Sequence, residues 1–149
     1  PMFWLNPGST LNFKYVVMQN NYVAEGSYYN CGLIKDGYDS EGTTPSNFNE
    51  FTMTHCAIRG SLATRNGCVI NIQDFSKFDI QLSYVKVSKC YSHADYDRSE
   101  GGTIRCYAAA KSKLTLDHCE VCYNATGKYG DGAGICWYAN GGQFYVRRK

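Results

Sequence analysis

The sequence predicts an all-β solenoid, and three features of it lead there. Four eight-residue stretches match one another position by position. Within each stretch the apolar alternation changes phase. Small or polar residues recur where the chain must then bend. No segment keeps a helical period of 3.6, so little or no α-helix is expected.

The stretch Leu114–Trp137 (LTLDHCEVCYNATGKYGDGAGICW) shows the unit most fully. Three further segments align with its opening, beginning at Leu11, Phe51 and Ile80, and a fifth begins at Phe144. The first position reads Leu11, Phe51, Ile80, Leu114, and the third Phe13, Met53, Leu82, Leu116. The sixth reads Val16, Cys56, Val85, Cys119, and the eighth Met18, Ile58, Val87, Val121. All are apolar or Cys, whereas the second position is always polar: Asn12, Thr52, Gln81, Thr115. In a strand, positions one and three share a face. Positions six and eight have the other parity, so a corner is expected at positions four and five.

A second corner is expected at position eleven, which reads Asn21, Ser61, Cys90, Asn124. Small polar residues suit a bend, and Asn tolerates left-handed backbone angles. Loops of varying length follow, at 22–30, 62–66, 91–100 and 125–131. Each leads to a third strand: Gly67–Ile72, Gly101–Cys106, Gly132–Trp137 and, more weakly, Cys31–Asp36. The copies are spaced by 40, 29, 34 and 30 residues, the long first one carrying a polar insertion over Asp36–Asn49. The reading is therefore about four turns of three short strands each, stacked at about 4.8 Å. An antiparallel sandwich also shows short strands and turns, but it does not require matching columns.

Composition narrows the function. A net charge of +2 is too small to imply a nucleic-acid partner. No apolar run reaches the roughly 20 residues of a membrane helix. Residues 1–149 read as one segment with a real core, starting at Pro1 without a signal-peptide pattern. A processed chain or a piece of a longer one is expected.

The pattern apolar-x-Cys/Val-x-Val-x-x-Asn followed by Gly-Gly-x-Ile resembles the repeats of right-handed parallel β-helix proteins. In particular it is similar to the polymorphic outer-membrane-protein type, with its GGAI and FxxN motifs. Gly101-Gly-Thr-Ile104 and Gly132-Ala-Gly-Ile135 stand for the first, and Val121-Cys-Tyr-Asn124 for the second. The resemblance spans about 11–146 and departs in the first two copies, CGLI and GCVI. It implies a large surface or secreted protein of the adhesin kind. Related β-helices include polysaccharide lyases and hydrolases.

Such enzymes, by resemblance, carry carboxylates and basic residues on one outer face. Outer positions two (Asn12, Thr52, Gln81, Thr115), seven (Val17, Ala57, Lys86, Glu120) and the outer third-strand column (Lys35, Asn71, Arg105, Cys136) hold no carboxylate pair. No catalytic residue, cofactor or metal site is therefore assigned. The cluster Asp95–Glu100 near His93, and the insertion with Asp36, Asp39 and Glu41, read as solvated loops, although the latter spacing would also suit calcium. The corner column Tyr15, His55, Tyr84, His118 is a candidate binding strip for sugar rings or a partner protein. The plainer reading is a ring ladder that protects the corner. Its histidines lie roughly 10 Å apart, too far to share a metal.

Eight cysteines are many for this length. Cys56 and Cys119 are two turns apart, beyond disulfide reach. Cys90 and Cys122 are offset by two residues, Cys31 and Cys68 by one. Mostly reduced thiols are expected, and the lone C-x-x-C, Cys119–Cys122, lacks the partners of a zinc site. Asn124-Ala-Thr126 is an N-glycosylation sequon.

The leading expectation is a non-enzymatic structural or adhesive β-helix segment of an elongated cell-surface or filament-forming protein. Its partner would be more of the same chain, or another copy end to end, with carbohydrate a further ligand. The alternatives are a carbohydrate-active β-helix enzyme and an intracellular cytoskeletal or flagellar scaffold.

Overall fold

The computed structural model describes residues 2–23, 33–36, 49–63, 67–72, 77–93, 102–108, 111–128, 132–139 and 141–148. Among them every regular element is a strand. The chain opens on β1 (Phe3–Leu5), ahead of the first copy, which holds β2 (Thr10–Lys14), β3 (Val17–Gln19) and β4 (Ile34–Asp36). The next copy holds β5 (Asn49–Thr54), β6 (Ala57–Arg59), β7 (Leu62–Ala63) and β8 (Ile70–Ile72). A third holds β9 (Phe78–Ser83), β10 (Lys86–Ser88), β11 (Tyr91–Ser92) and β12 (Ile104–Ala108). A fourth holds β13 (Lys113–Asp117), β14 (Glu120–Cys122), β15 (Ala125–Thr126) and β16 (Ile135–Ala139), and β17 (Gln143–Arg147) opens a fifth.

Four sheets result, ordered β1-β4-β8-β12-β16, β17-β13-β9-β5-β2, β14-β10-β6-β3 and β15-β11-β7. Every strand pair among the described residues is parallel. Each strand pairs with its counterparts in the neighbouring copies. Leu11 faces Phe51, Phe51 faces Ile80, Ile80 faces Leu114, and Leu114 faces Phe144. An antiparallel sandwich is thereby excluded, and the arrangement is compatible with a β-helix or solenoid. Parallel strands need a long connection between partners. Here the rest of each copy supplies it, and among the described residues no helix takes part.

The aligned apolar columns form one core. Phe51, Met53, Ile58, Ile80, Leu82, Val87, Leu114 and Leu116 are buried, and Ile34, Ile70 and Ile104 close it from the β4-β8-β12 side. Burying one such side chain stabilises by about 2 kcal/mol. In-register stacking repeats that gain in each copy.

The first corner lies where the phase change puts it. Tyr15, His55, Tyr84 and His118 have φ of 58°, 52°, 55° and 51°, a left-handed conformation that reverses side-chain parity. Their N–H groups keep the ladder going, donating to the carbonyls of Thr54, Ser83, Asp117 and Arg147. In two copies the position-six thiol helps, since Cys56 and Cys119 donate to the carbonyls of Thr54 and Asp117.

The second corner differs from expectation by one residue. The left-handed residues are Asn20, Gly60, Lys89 and Tyr123, at position ten. Position eleven turns inward instead: Asn21, Ser61 and Cys90 are buried. There Asn21 Nδ2 donates to Ser61 Oγ (3.1 Å), and Asn124 Oδ1 accepts from the Cys90 N–H (2.9 Å). The reversal at position ten sends the following side chain into the interior, so it must be small or bring its own hydrogen bonds.

A second difference is the number of strands. The segments expected to be loops after this corner begin as strands β7, β11 and β15, giving four sheets where three were expected. Two-residue strands carry too little alternation to be seen in a sequence. The insertion apart from its two ends, the Asp95–Glu100 cluster and Cys31 lie outside the described residues. Among the described residues no helix is long and apolar enough to cross a membrane.

Candidate functional site

The four residues of the expected strip come together. Tyr15 stacks on His55 with ring centroids 5.3 Å apart, His55 on Tyr84 at 4.8 Å and Tyr84 on His118 at 4.7 Å. The planes are 12–13° from parallel. Tyr15 and Tyr84 are 71% and 51% exposed, so the ladder stands on the surface. Lys14 Nζ lies 5.1 Å from the Tyr15 centroid at one end, and His118 Nδ1 is 2.9 Å from Asp117 Oδ1 at the other. Because each ring covers its neighbour, the strip offers solvent its edges, with phenol hydroxyls and imidazole nitrogens. Flat faces are left only at the two ends.

A second feature sits on the outer face of the β17-β13-β9-β5-β2 sheet. Glu50, Asp79, Lys111, Lys113, Gly141 and Gln143 line a cleft of about 520 Å³. Glu50 pairs directly with Asp79, and Asp79 with Lys113. Adjacent strands bring such paired residues within about 5 Å. This corrects the expectation that no outer column holds two carboxylates. The pair lies one residue before the first aligned position, just outside the compared columns. Register between copies was the signal that could have found it.

The column Lys35, Asn71, Arg105, Cys136 points away from the apolar core, as its alternation with Ile34, Ile70, Ile72 and Ile104 requires, yet all four are buried. Arg105 Nη1 donates to Asn71 Oδ1 at 2.9 Å, and its guanidinium lies 4.4 Å from the Tyr107 centroid. Lys35 Nζ is 4.8 Å from the Trp4 centroid, and Tyr107 stacks on Tyr138 at 4.6 Å. The expected solvent-facing column is instead an enclosed polar stack. Sequence reasoning missed it because two cations and an amide read as surface.

Between copies on the β14-β10-β6-β3 sheet, Lys86 Nζ pairs with Glu120 at 2.7 Å. The hydrogen bond and charge of this pair raise the Lys86 ammonium and lower the Glu120 carboxyl from their usual ranges.

Seven cysteines are described, and none of them is joined in a disulfide. Burial pushes the Cys119 thiol up. Cys90 goes the other way, to about 7, because the Cys68 thiol hydrogen-bonds to it; Ser61 and Gly60 add to this and burial opposes it. Cys90 Sγ also lies 3.3 Å from the Ser88 carbonyl, a bond that only its protonated form can donate. Asn124, the sequon residue, is half-buried with its amide engaged: Oδ1 on the Cys90 N–H, Nδ2 on the Val87 carbonyl at 3.2 Å. Among the described residues no group of three His, Cys, Asp or Glu is placed to hold a metal ion.

No protein-family model, no curated protein and no solved structure matches the chain.

Proposed function

We propose that the chain winds as a right-handed parallel β-helix of the polymorphic outer-membrane-protein kind. On this reading it serves as a non-enzymatic adhesive segment of an elongated cell-surface protein. The observation that carries this is the exposed Tyr15–His55–Tyr84–His118 ladder. It is a straight rail of polar ring edges about 5 Å apart, held rigid by stacking. A rail with that pitch suits an extended ligand bearing repeated hydrogen-bonding groups, such as a polysaccharide. Strand β17 exposes Phe144, Tyr145 and Val146 and pairs with β13 alone among the described residues. We extend the proposal to stacking there, by further chain or another copy.

Calorimetric titration with soluble polysaccharides tests the reading. The double variant Tyr15→Phe/Tyr84→Phe keeps the stacking and removes two hydroxyls. Binding by the native chain that falls about tenfold in the variant supports the rail, at roughly 1.4 kcal/mol in total. Equal binding by both overturns it.

A second reading, a carbohydrate-active enzyme, is favoured by the Glu50–Asp79 pair in its lysine-bearing cleft. Neighbouring carboxylates can divide acid and nucleophile roles when about 5 Å apart. Size analysis of polysaccharides after incubation separates the two readings. Shortened chains that persist at native length with Glu50→Gln support the enzyme.

A further inference from the structure

We propose that the cleft on the β17-β13-β9-β5-β2 sheet binds a dipeptide by its two charged ends, the free amine and the free carboxylate. The lining of the cleft divides by sign. Glu50 on β5 faces Asp79 on β9, and Lys113 on β13 and Gln143 on β17 continue the row. Lys111 precedes Lys113 by two residues, and its N–H donates to the Gly141 carbonyl at 3.3 Å. Glu50, Lys111 and Lys113 are exposed and Asp79 is half-buried, so solvent reaches all four charges. The cleft volume of about 520 Å³ lies within the range of small-ligand sites.

Two features set these charges apart from an ordinary solvated face. A carboxylate pair and an ammonium pair share one cleft, yet none of the four makes an ion pair among the described residues. Asp79 Oδ1 instead accepts from the Gln81 amide at 3.3 Å. The second feature is the backbone of Lys111, held at φ 70°. Gly8 and Gly141 occupy the same place in their copies, three residues before the first aligned position, at φ 82° and 81°. Glycine takes that bend without strain. Nothing in the backbone favours a lysine at 111, and its ammonium reaches the cleft at the expense of strain.

The arrangement of charge selects the ligand. Two like charges on neighbouring strands attract an ion of the opposite sign between them. An ammonium suits the place between Glu50 and Asp79, and a carboxylate the place between Lys111 and Lys113. The middle of the acidic pair lies one and a half strand spacings from β13, about 7 Å. Two extended residues span about 7 Å. A single amino acid carries its two charges too close together to meet both pairs. No aromatic ring is among the lining residues, so the cleft offers no flat platform for a sugar ring. That favours a peptide there, and the proposal stands whether or not the ring ladder binds polysaccharide.

Titration of the full chain with glycylglycine, followed by backbone amide NMR shifts, tests the site. Saturating shifts are expected around Glu50, Asp79, Lys111 and Lys113, with a Kd on the order of 1 mM. Acetylating the amine of the peptide or amidating its carboxylate should weaken binding at least about tenfold, as should replacing it with glycine. Glu50→Gln should weaken binding by about the same factor. Lys111→Gly should do so too while its unfolding temperature stays level or rises, because glycine suits the bend. No shifts with glycylglycine, or equal binding of glycine or of either blocked peptide, overturns the proposal. The titrations of the native chain alone decide it if either variant fails to fold.

Discussion

The Tyr84 ring lies on the His118 ring, centroids 4.7 Å apart and planes 12° from parallel, although 34 residues separate them in the chain. Both residues hold left-handed backbone angles, which cost an L-residue about 1–2 kcal/mol. Stacking returns about 0.5–1.5 kcal/mol per contact. Corner and ladder therefore sustain one another.

Substitutions at Tyr84 should follow that balance. Tyr84→Val forces a β-branched residue to φ 55° and loses two stacking contacts, so it should destabilise by about 2–3 kcal/mol. Tyr84→Gly loses the same contacts but relieves the backbone and should cost less than 1 kcal/mol net. Urea unfolding of the two variants checks the order.

Arg105 should be among the least replaceable polar residues. It is 6% exposed, bonded to Asn71 and set against Tyr107. Arg105→Ala strands the Asn71 carbonyl oxygen and opens a cavity, at a cost of about 3 kcal/mol in the same assay. Were the column solvated, as its composition suggests, the loss would stay below about 0.5 kcal/mol.

Stability should climb with pH near neutrality. The folded Cys90 thiol ionises at about 7, an unfolded one at about 8.5. Between those values the unfolded chain holds more protons, so the native state gains stability as pH rises. The gain, on the order of 2 kcal/mol, is complete above the unfolded value and is lost as pH falls through the folded one. Cys90→Ser should flatten that slope in unfolding curves taken from pH 6 to 9.

Asn124 holds two backbone groups of the neighbouring copy, so Asn124→Ala should destabilise by about 2 kcal/mol. A glycan on Asn124 would replace one of the two Nδ2 hydrogens and crowd the half-buried amide that donates to the Val87 carbonyl. Expression in a glycosylating host followed by intact-mass measurement should show the folded chain without the added sugar.

The parts of this fold that repeat with side chains of consistent class were legible in the sequence. The columns headed by Leu11, Phe13, Val16 and Met18 identify strands and register, since burial admits only apolar residues there. The phase change located the first corner because a left-handed residue must restore inward facing. The second corner was misplaced by one residue: its left-handed column mixes Asn20, Gly60, Lys89 and Tyr123, which share no chemistry. The two-residue strands β7, β11 and β15 carry too little pattern to register. The Glu50–Asp79 pair depends on lateral neighbours across copies, and the burial of Lys35 and Arg105 depends on what covers the sheet. Neither is written in local alternation.

Inter-strand nuclear Overhauser contacts test the stacking of copies most directly. The account predicts that the Ile80 backbone contacts both Phe51 and Leu114, in the pattern of two parallel neighbours. Close Hα–Hα contacts of antiparallel pairs between these strands, or an Ile80 that touches neither residue, would contradict it.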